Sequence, residues 1–255
     1  FSQIQDPSTI YRKERDKINN LVHTKLKVDF NFEDKELNGE EWVTLSPHFY
    51  PTNKVVLDAK AMIIKTISLD GKKLDYTYDG YKINIELPRE YVKGEKYTLY
   101  IKYIAQPEKV KEKGSIAITA AKGLYFINPT GNIPNKPIQI WTQGETEASS
   151  CWFPTIDSPN QKTSQEIYIT VPNKFKTLSN GALISQKLVG ANRTDYWKFD
   201  QKHAPYLFFM GIGEYEVIED SYKNIPVNYY VEKKYASLAK DIFGLTPEMI
   251  GFFEK

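Results

Sequence analysis

The chain has little cysteine, little histidine and no long apolar run, and each scarcity closes off a class of function. Its 255 residues contain 1 cysteine, Cys151. That excludes an intramolecular disulfide and a thiolate zinc site. The 3 histidines, His23, His48 and His203, lie too far apart in sequence for a local metal motif, and none opens an H-E-x-x-H stretch. No segment approaches the roughly 20 consecutive apolar residues of a membrane-spanning helix. There is no glycine-rich phosphate loop, and Ser149 and Ser150 lack the G-x-S-x-G frame of a serine hydrolase. Charge of one sign is also missing: Lys and Arg number 34 against 32 Asp and Glu, a net charge of +2, so no basic field for nucleic acid is expected. The opening Phe1-Ser-Gln-Ile-Gln-Asp-Pro7 is polar and is no signal peptide. A first residue of Phe rather than Met points to a processed or trimmed chain. Its expected setting is periplasmic or otherwise extracytoplasmic, with the cytoplasm as the alternative.

What is present is a globular composition rich in aromatics. Hydrophobic residues make up 41%, charged residues 26% and aromatics 14%, the last led by 18 Tyr and 13 Phe. This excludes a disordered chain and favours strands. Residues 1–21 are polar and charged and form a leader segment or short helix. From Val22 apolar and polar residues alternate: Val22, Leu26, Val28, Phe30 and Phe32 against His23, Lys25, Lys27, Asp29 and Asn31. Period two means a strand with one wet face. The same pattern returns at Tyr81–Leu87 and Tyr97–Tyr103, with short apolar runs at Val55–Leu57 and Ile63–Leu69. Asn38-Gly39, Asp70-Gly71 and Asp79-Gly80 are read as hairpin turns. Further strands are predicted at Leu124–Ile127, Ile138–Trp141, Glu166–Val171, Thr177–Ser179, Tyr196–Phe199, Tyr206–Met210 and Val227–Val231. The expected class is all-β, an antiparallel curved double sheet or sandwich over residues 22–231.

Beyond 231 the period becomes helical. Lys234–Phe243 carries Ala, Leu and Ile at helical spacing, and Thr246-Pro247-Glu248 predicts a helix start with a threonine cap. The apolar face of Met249, Ile250, Phe252 and Phe253 needs a partner to pack on. Residues 232–255 are therefore expected to open a second, more helical domain that continues past Lys255.

Few residues carry chemistry. Each histidine is read as a surface or loop residue, and Cys151 as a small buried thiol beside Trp152 rather than a nucleophile. Asn192-Arg-Thr194 fits a glycosylation acceptor, a tripeptide common by chance. One segment, Trp141 to Pro159, is dense in unusual residues: Gln143, Glu145, Glu147 and Asp157 among Trp141, Trp152 and Phe153. Carboxylates and an amide beside aromatics suit recognition of a cationic or polar ligand group. A rigid loop fixed by Pro154 and Pro159, with its acids in water, explains the same residues without a ligand.

The segment resembles the signature of the zinc aminopeptidase N family, the gluzincin metallopeptidases. Thr142-Gln143-Gly144-Glu145 is similar to the family's Thr-Gln-x-Glu stretch. Phe153-Pro154-Thr155-Ile156-Asp157-Ser158-Pro159 is similar to its Phe-Pro-Cys-x-Asp-x-Pro stretch, at the family's spacing. Val56-Leu57-Asp58-Ala59, Ile67-Ser68-Leu69, Leu178-Ser179-Asn180-Gly181 and Ala204-Pro205-Tyr206-Leu207 running to Gly213-Glu214-Tyr215 extend the likeness in order. Ser150 stands where the family often has Arg, and Thr155 where it has Cys. The resemblance implies a saddle-like β domain followed by a thermolysin-like zinc domain. It implies that Glu145 binds the free α-amino group of a peptide substrate and that Gln143 lines the pocket for its N-terminal side chain. Glu147 and Asp157 inherit no such role and are read as loop-structuring. The zinc ligands and general base would lie beyond Lys255, so zinc is expected in the parent protein and none in this fragment. The rival expectations are a non-catalytic relative serving as an interaction scaffold, and an unrelated β-sandwich binding carbohydrate on Trp141 and Trp152.

Overall fold

The computed structural model describes residues 16–111 and 121–254. The leader expected at 1–21 lies mostly outside them, and strand pairing has already begun at Asn19. In chain order the first strands are β1 Asn19–Asn31, β2 Glu36–Pro47, β3 Thr52–Asp58, β4 Met62–Leu69, β5 Lys72–Lys73, β6 Tyr76–Tyr78, β7 Lys82–Tyr91 and β8 Tyr97–Ala105. Then come β9 Leu124–Ile127, β10 Gln139–Thr142, β11 Thr163–Pro172, β12 Lys176–Ser179, β13 Ala182–Val189, β14 Asn192–His203 and β15 Met210–Gly213. The hairpin β16 Tyr215–Tyr222 and β17 Ile225–Glu232 leads into helices α1 Ala239–Phe243 and α2 Thr246–Phe253.

The architecture is a sandwich. One layer is an 8-stranded sheet in the order β13-β14-β11-β1-β2-β8-β4-β5. The other layer is two short sheets, β3-β7-β6 and β12-β15-β10-β9. One continuous core joins them: Leu26, Val43, Ile67 and Ile101 from the long sheet meet Val55, Leu57 and Ile83 from one short sheet and Ile140, Met210 and Ile212 from the other. Strict alternation places these side chains inward, so β11 reads buried, half-buried, buried along its whole length. The seam between the short sheets is closed by a backbone bridge between Asp58 and Thr155.

Four local expectations need correction. The long sheet is not purely antiparallel, because β1 and β11 run parallel, with Leu26 beside Ile167. The long stretch from β2 to β10 supplies the crossover that such a pair requires. Asn38-Gly39 is no turn. It lies inside β2, where the Tyr103 ring occupies the place a side chain at Gly39 would take. The chain reverses instead at 32–35, where Lys35 adopts a φ of 56°. Tyr206–Met210 is not a strand; Pro205–Leu207 forms a 3-10 turn and pairing starts at Met210. Thr246 does not cap α2. Gly244 and Leu245 keep helical dihedrals between the two helices, and the Thr246 hydroxyl donates to the Phe243 carbonyl at 2.6 Å.

The hairpin β16–β17 and α1 pack around their own small cluster of Tyr229, Val231 and Ala239. The faces of α1 and α2 beyond it are apolar and open, with Ile242, Leu245, Phe252 and Phe253 all exposed. Among the described residues no helix is long and apolar enough to cross a membrane.

Candidate functional site

The segment 143–159 runs from β10 of one short sheet to β11 of the long sheet and crosses the seam between the short sheets. Its first residue still belongs to the ladder: the Gln143 N–H donates to the Gly123 carbonyl at 2.9 Å, one step beyond the Thr142–Leu124 pair. Gln143 therefore points to the same side as Trp141, opposite buried Ile140 and Thr142.

The next residue must be glycine. A Cβ at Gly144 would collide with the Tyr206 carbonyl and the Ser149 hydroxyl. The chain then turns over itself, with the Ala148 N–H donating to the Gly144 carbonyl at 2.8 Å and the Ser149 hydroxyl to the Pro205 carbonyl at 2.8 Å. Glu145, Thr146 and Glu147 form the exposed crown of this turn.

Beneath the crown the loop is pinned by buried polar bonds. The Ser150 N–H donates to Asp157 Oδ2 at 2.9 Å. The Asp157 N–H donates to Asp58 Oδ2 at 2.8 Å. Asp58 and Thr155 exchange backbone hydrogen bonds of 2.6 and 2.9 Å, and the Lys60 N–H donates to the Ser150 carbonyl at 2.7 Å. Lys60 Nζ reaches the Glu147 carbonyl at 2.8 Å. Burial pushes Asp157 up to about 6, against the opposing bonds from Ser150. Its Oδ1 is buried with no hydrogen-bond partner, which favours the protonated acid further. Below these polar ties, Trp152 and Phe153 pack edge to face at 4.4 Å, and Phe153 stacks on Phe208 at 5.0 Å.

Asp157 is thus a loop-forming residue, as its sequence context suggested. The two positions that depart from the family signature are both buried parts of this base: Ser150 bonds to Asp157, and Thr155 makes the bridge to Asp58. Cys151 is buried, with its thiol 3.4 Å from the Ala121 carbonyl. Trp152 is fully buried, which removes it as a carbohydrate platform. His203 stacks on Phe208 at 4.7 Å with Nε2 3.1 Å from Gln165 Oε1, and burial lowers its pKa. Glu147 sits on the crown, where only its carbonyl is bonded among the described residues. Sequence reading missed the ties made by Asp58, the last residue of β3, and by Lys60 just beyond it, because both stand more than eighty residues earlier in the chain.

In contrast to this base, Gln143 and Glu145 make no side-chain hydrogen bond or ion pair among the described residues. They stand half-buried and exposed, respectively, on a backbone that is fixed from below. Such an arrangement can present an amide and a carboxylate to an incoming cation at little entropic cost. Among the described residues no group of three or more His, Cys, Asp or Glu side chains could hold a metal ion.

Comparison with known proteins places this architecture. Residues 20–207 match the Peptidase M1 N-terminal domain family. A probable aminopeptidase from Sulfurisphaera tokodaii is 27% identical over 206 residues, covering 80% of this chain and 23% of that protein. Leucyl aminopeptidase of Saccharolobus solfataricus is 25% identical over 200 residues, covering 77% and 22%. Transcription initiation factor TFIID subunit 2 of Danio rerio is 23% identical over 137 residues, covering 52% and 11%. Among solved structures, an M1 zinc metallopeptidase of Deinococcus radiodurans bound to Tyr-Ser-Ala superposes with a TM-score of 0.67 at 16% identity, covering 83% of this chain and 47% of that one. The chain spans about a quarter of the length of the aminopeptidases it matches. By fold and by sequence, it belongs to the family of peptidase M1 N-terminal domains.

Proposed function

We propose that this chain is the substrate-anchoring β domain of a zinc-dependent aminopeptidase, a protein that removes single residues from peptide N-termini. Glu145 is its acceptor for the protonated α-amino group, and Gln143 lines the pocket for the N-terminal side chain. The observation that carries the reading is the contrast at 143–157: two polar side chains without partners among the described residues, on a loop whose backbone is pinned by hydrogen bonds from beneath. A carboxylate at a fixed position selects an ammonium over a blocked terminus and sets its distance from the scissile carbonyl. Among the described residues no group of three or more His, Cys, Asp or Glu side chains could hold zinc, and the proposal assigns the metal ligands to residues past Lys255 and takes the catalytic domain as this domain's own covalent partner. The open apolar faces of α1 and α2 agree with such a neighbour.

The test is kinetic. In the intact protein, Glu145→Ala should raise KM for free-amine peptides, with a loss of about 2–4 kcal/mol, the scale for one charged partner of a desolvated pair. Unchanged kinetics would remove Glu145 from the site. For residues 1–255 alone, the expectation is no bound zinc and no hydrolysis of an aminoacyl-anilide; stoichiometric zinc with turnover would refute it.

The likeness to TFIID subunit 2 favours one alternative, a scaffold on the same fold that binds a protein partner without catalysis. An intact protein that shows no aminopeptidase activity, with or without added zinc, would favour it.

A further inference from the structure

Trp141 is a large aromatic residue left open to solvent on β10, two residues before Gln143 and four before the proposed anchor Glu145. It is 37% exposed, and neither the family likeness nor the anchoring role accounts for it. Its neighbours on the same face are ordered by the sheet. Tyr125 is its direct partner on β9, and the two rings stack at 4.4 Å with 15° between planes. On the other side its partner on β15 is Gly211, which has no side chain to cover the indole. Paired residues point to the same face. The space above Gly211 is taken instead by Phe209, whose ring edge lies 3.1 Å from where a Cβ would stand. Phe209 is itself 37% exposed. Its backbone is held by Asn180 and Ser179, which bond its N–H and carbonyl at 2.7 Å each.

Tyr125 on β9, Trp141 on β10 and Phe209, just ahead of β15 and folded over its Gly211, therefore lie side by side across about 10 Å at the usual strand spacing. Gln143 lies two residues along from Trp141, about 7 Å, on the same side, and Glu145 follows on the crown. A partly exposed aromatic cluster borders an amide and a carboxylate on one side of the sheet. That combination fits a ligand whose ammonium is close to a large apolar group.

We infer that Tyr125, Trp141 and Phe209 form an aromatic shelf that receives the N-terminal side chain of the bound peptide, so that the parent enzyme selects large apolar and aromatic N-terminal residues. The inference rests on the anchoring role proposed for Glu145. Trp141 supplies the face against which the side chain lies, Tyr125 backs the indole, and Phe209, lying over Gly211, borders the far side.

The experiment compares kcat/KM for phenylalanine-anilide and alanine-anilide in the intact protein. Trp141→Ala should lower the phenylalanine-to-alanine ratio about five- to tenfold, the scale of one aromatic contact. The change should sit in KM for the phenylalanine substrate and leave the alanine substrate nearly untouched. Trp141→Phe should restore most of the ratio. Trp141→Leu keeps the bulk but not the flat ring, so it should restore less. An unchanged ratio, or an equal loss on both substrates, would overturn the shelf; the second result would mean that Trp141 packs under the rest of the protein. Glu145→Gln, measured beside these, separates the two readings. If it raises KM on both substrates while Trp141→Ala leaves the ratio alone, the anchor stands and the shelf falls. If it changes neither KM, the anchor itself fails.

Discussion

The outer face of the long sheet and the crown at 143–147 are both polar surfaces, and they are built in opposite ways. On the sheet, groups satisfy one another. His23 Nε2 lies 3.2 Å from Glu166, and Tyr196 donates to the same carboxylate at 2.8 Å. Lys25 and Lys27 sit 5.5 and 5.1 Å from the centre of the Trp42 ring, and Tyr168 stacks on Tyr196 at 4.2 Å. Lys102 pairs with Glu40 at 3.5 Å. On the crown, the bonds are all in the base, and among the described residues the side chains of Gln143 and Glu145 have no part in them. A face whose charges already neutralise one another contributes to the fold. A rigid loop that presents unpaired groups holds them ready for something that is not in the chain.

Removing a member of a satisfied cluster should damage the fold, and the largest effect is expected where the cluster is buried. Arg193 donates to Asp195, to Asn173 and to the Phe175 carbonyl, and is 7% exposed. Burial alone would raise the Asp195 pKa, but the bonds from Arg193, Thr177 and Gln186 outweigh it and hold the acid below its usual range. Arg193→Ala leaves that carboxylate stranded and should cost about 3–5 kcal/mol in urea unfolding. A loss below 1 kcal/mol would mean that the pair is dispensable.

The base of the crown should report through pH. Asp157, at about 6 in the fold against about 3.9 unfolded, keeps its proton longer when folded. Its stabilising contribution is therefore full below pH 4, declines between pH 4 and 6, and is absent above. Over that window the wild type should lose up to about 3 kcal/mol on this account, and Asp157→Asn should remove that part of the slope. Glu41 acts with the same sign. It lies in the core beside Tyr103, both its oxygens lack a partner, and burial raises its pKa well above the usual range. The advantage of Glu41→Gln over wild type should therefore grow as pH rises, read as the difference in Tm.

Smaller effects sharpen the contrast further. Gly144→Ala forces a methyl group against the Tyr206 carbonyl and should cost about 1–3 kcal/mol, with substrate affinity in the intact protein falling more than for a distant mutation of equal cost. On the sheet's wet face, Glu166→Gln should cost less than about 1 kcal/mol. Glu145→Gln should leave unfolding unchanged within about 0.5 kcal/mol. A clear stability loss there would mean that Glu145 is part of the scaffold, and the comparison between the two surfaces would fail.

Much of this was legible in the sequence because period two survives translation into structure. Leu26, Val28, Ile83, Ile85, Leu99 and Ile101 are core residues where alternation placed them. The signature residues Gln143, Glu145 and Asp157 fell on one loop, as their spacing implied. What could not be read was decided by distant parts of the chain. Gly39 looks like a turn until Tyr103 is laid over it, and Thr246 looks like a cap until α1 runs into it without a break. Strand β13 escaped notice because it is an edge strand exposed along its whole length, so Leu183, Ile184, Leu188 and Val189 show no alternation. Trp141 and Trp152, eleven residues apart, read alike in sequence. Only the packing of Phe153 and Phe208 buries one and leaves the other open.

The pairing of β1 with β11 sets a schedule for folding. His23 and Ser164, neighbours in that pair, are separated by 141 residues. During synthesis the first strand can form its hairpin with β2, but its other edge must wait until β11, some 140 residues further along, has been made. The closing step of this sheet is thus a long-range event, of the kind that makes β-rich proteins fold slowly, and through that interval an exposed strand edge is open to pairing with other nascent chains.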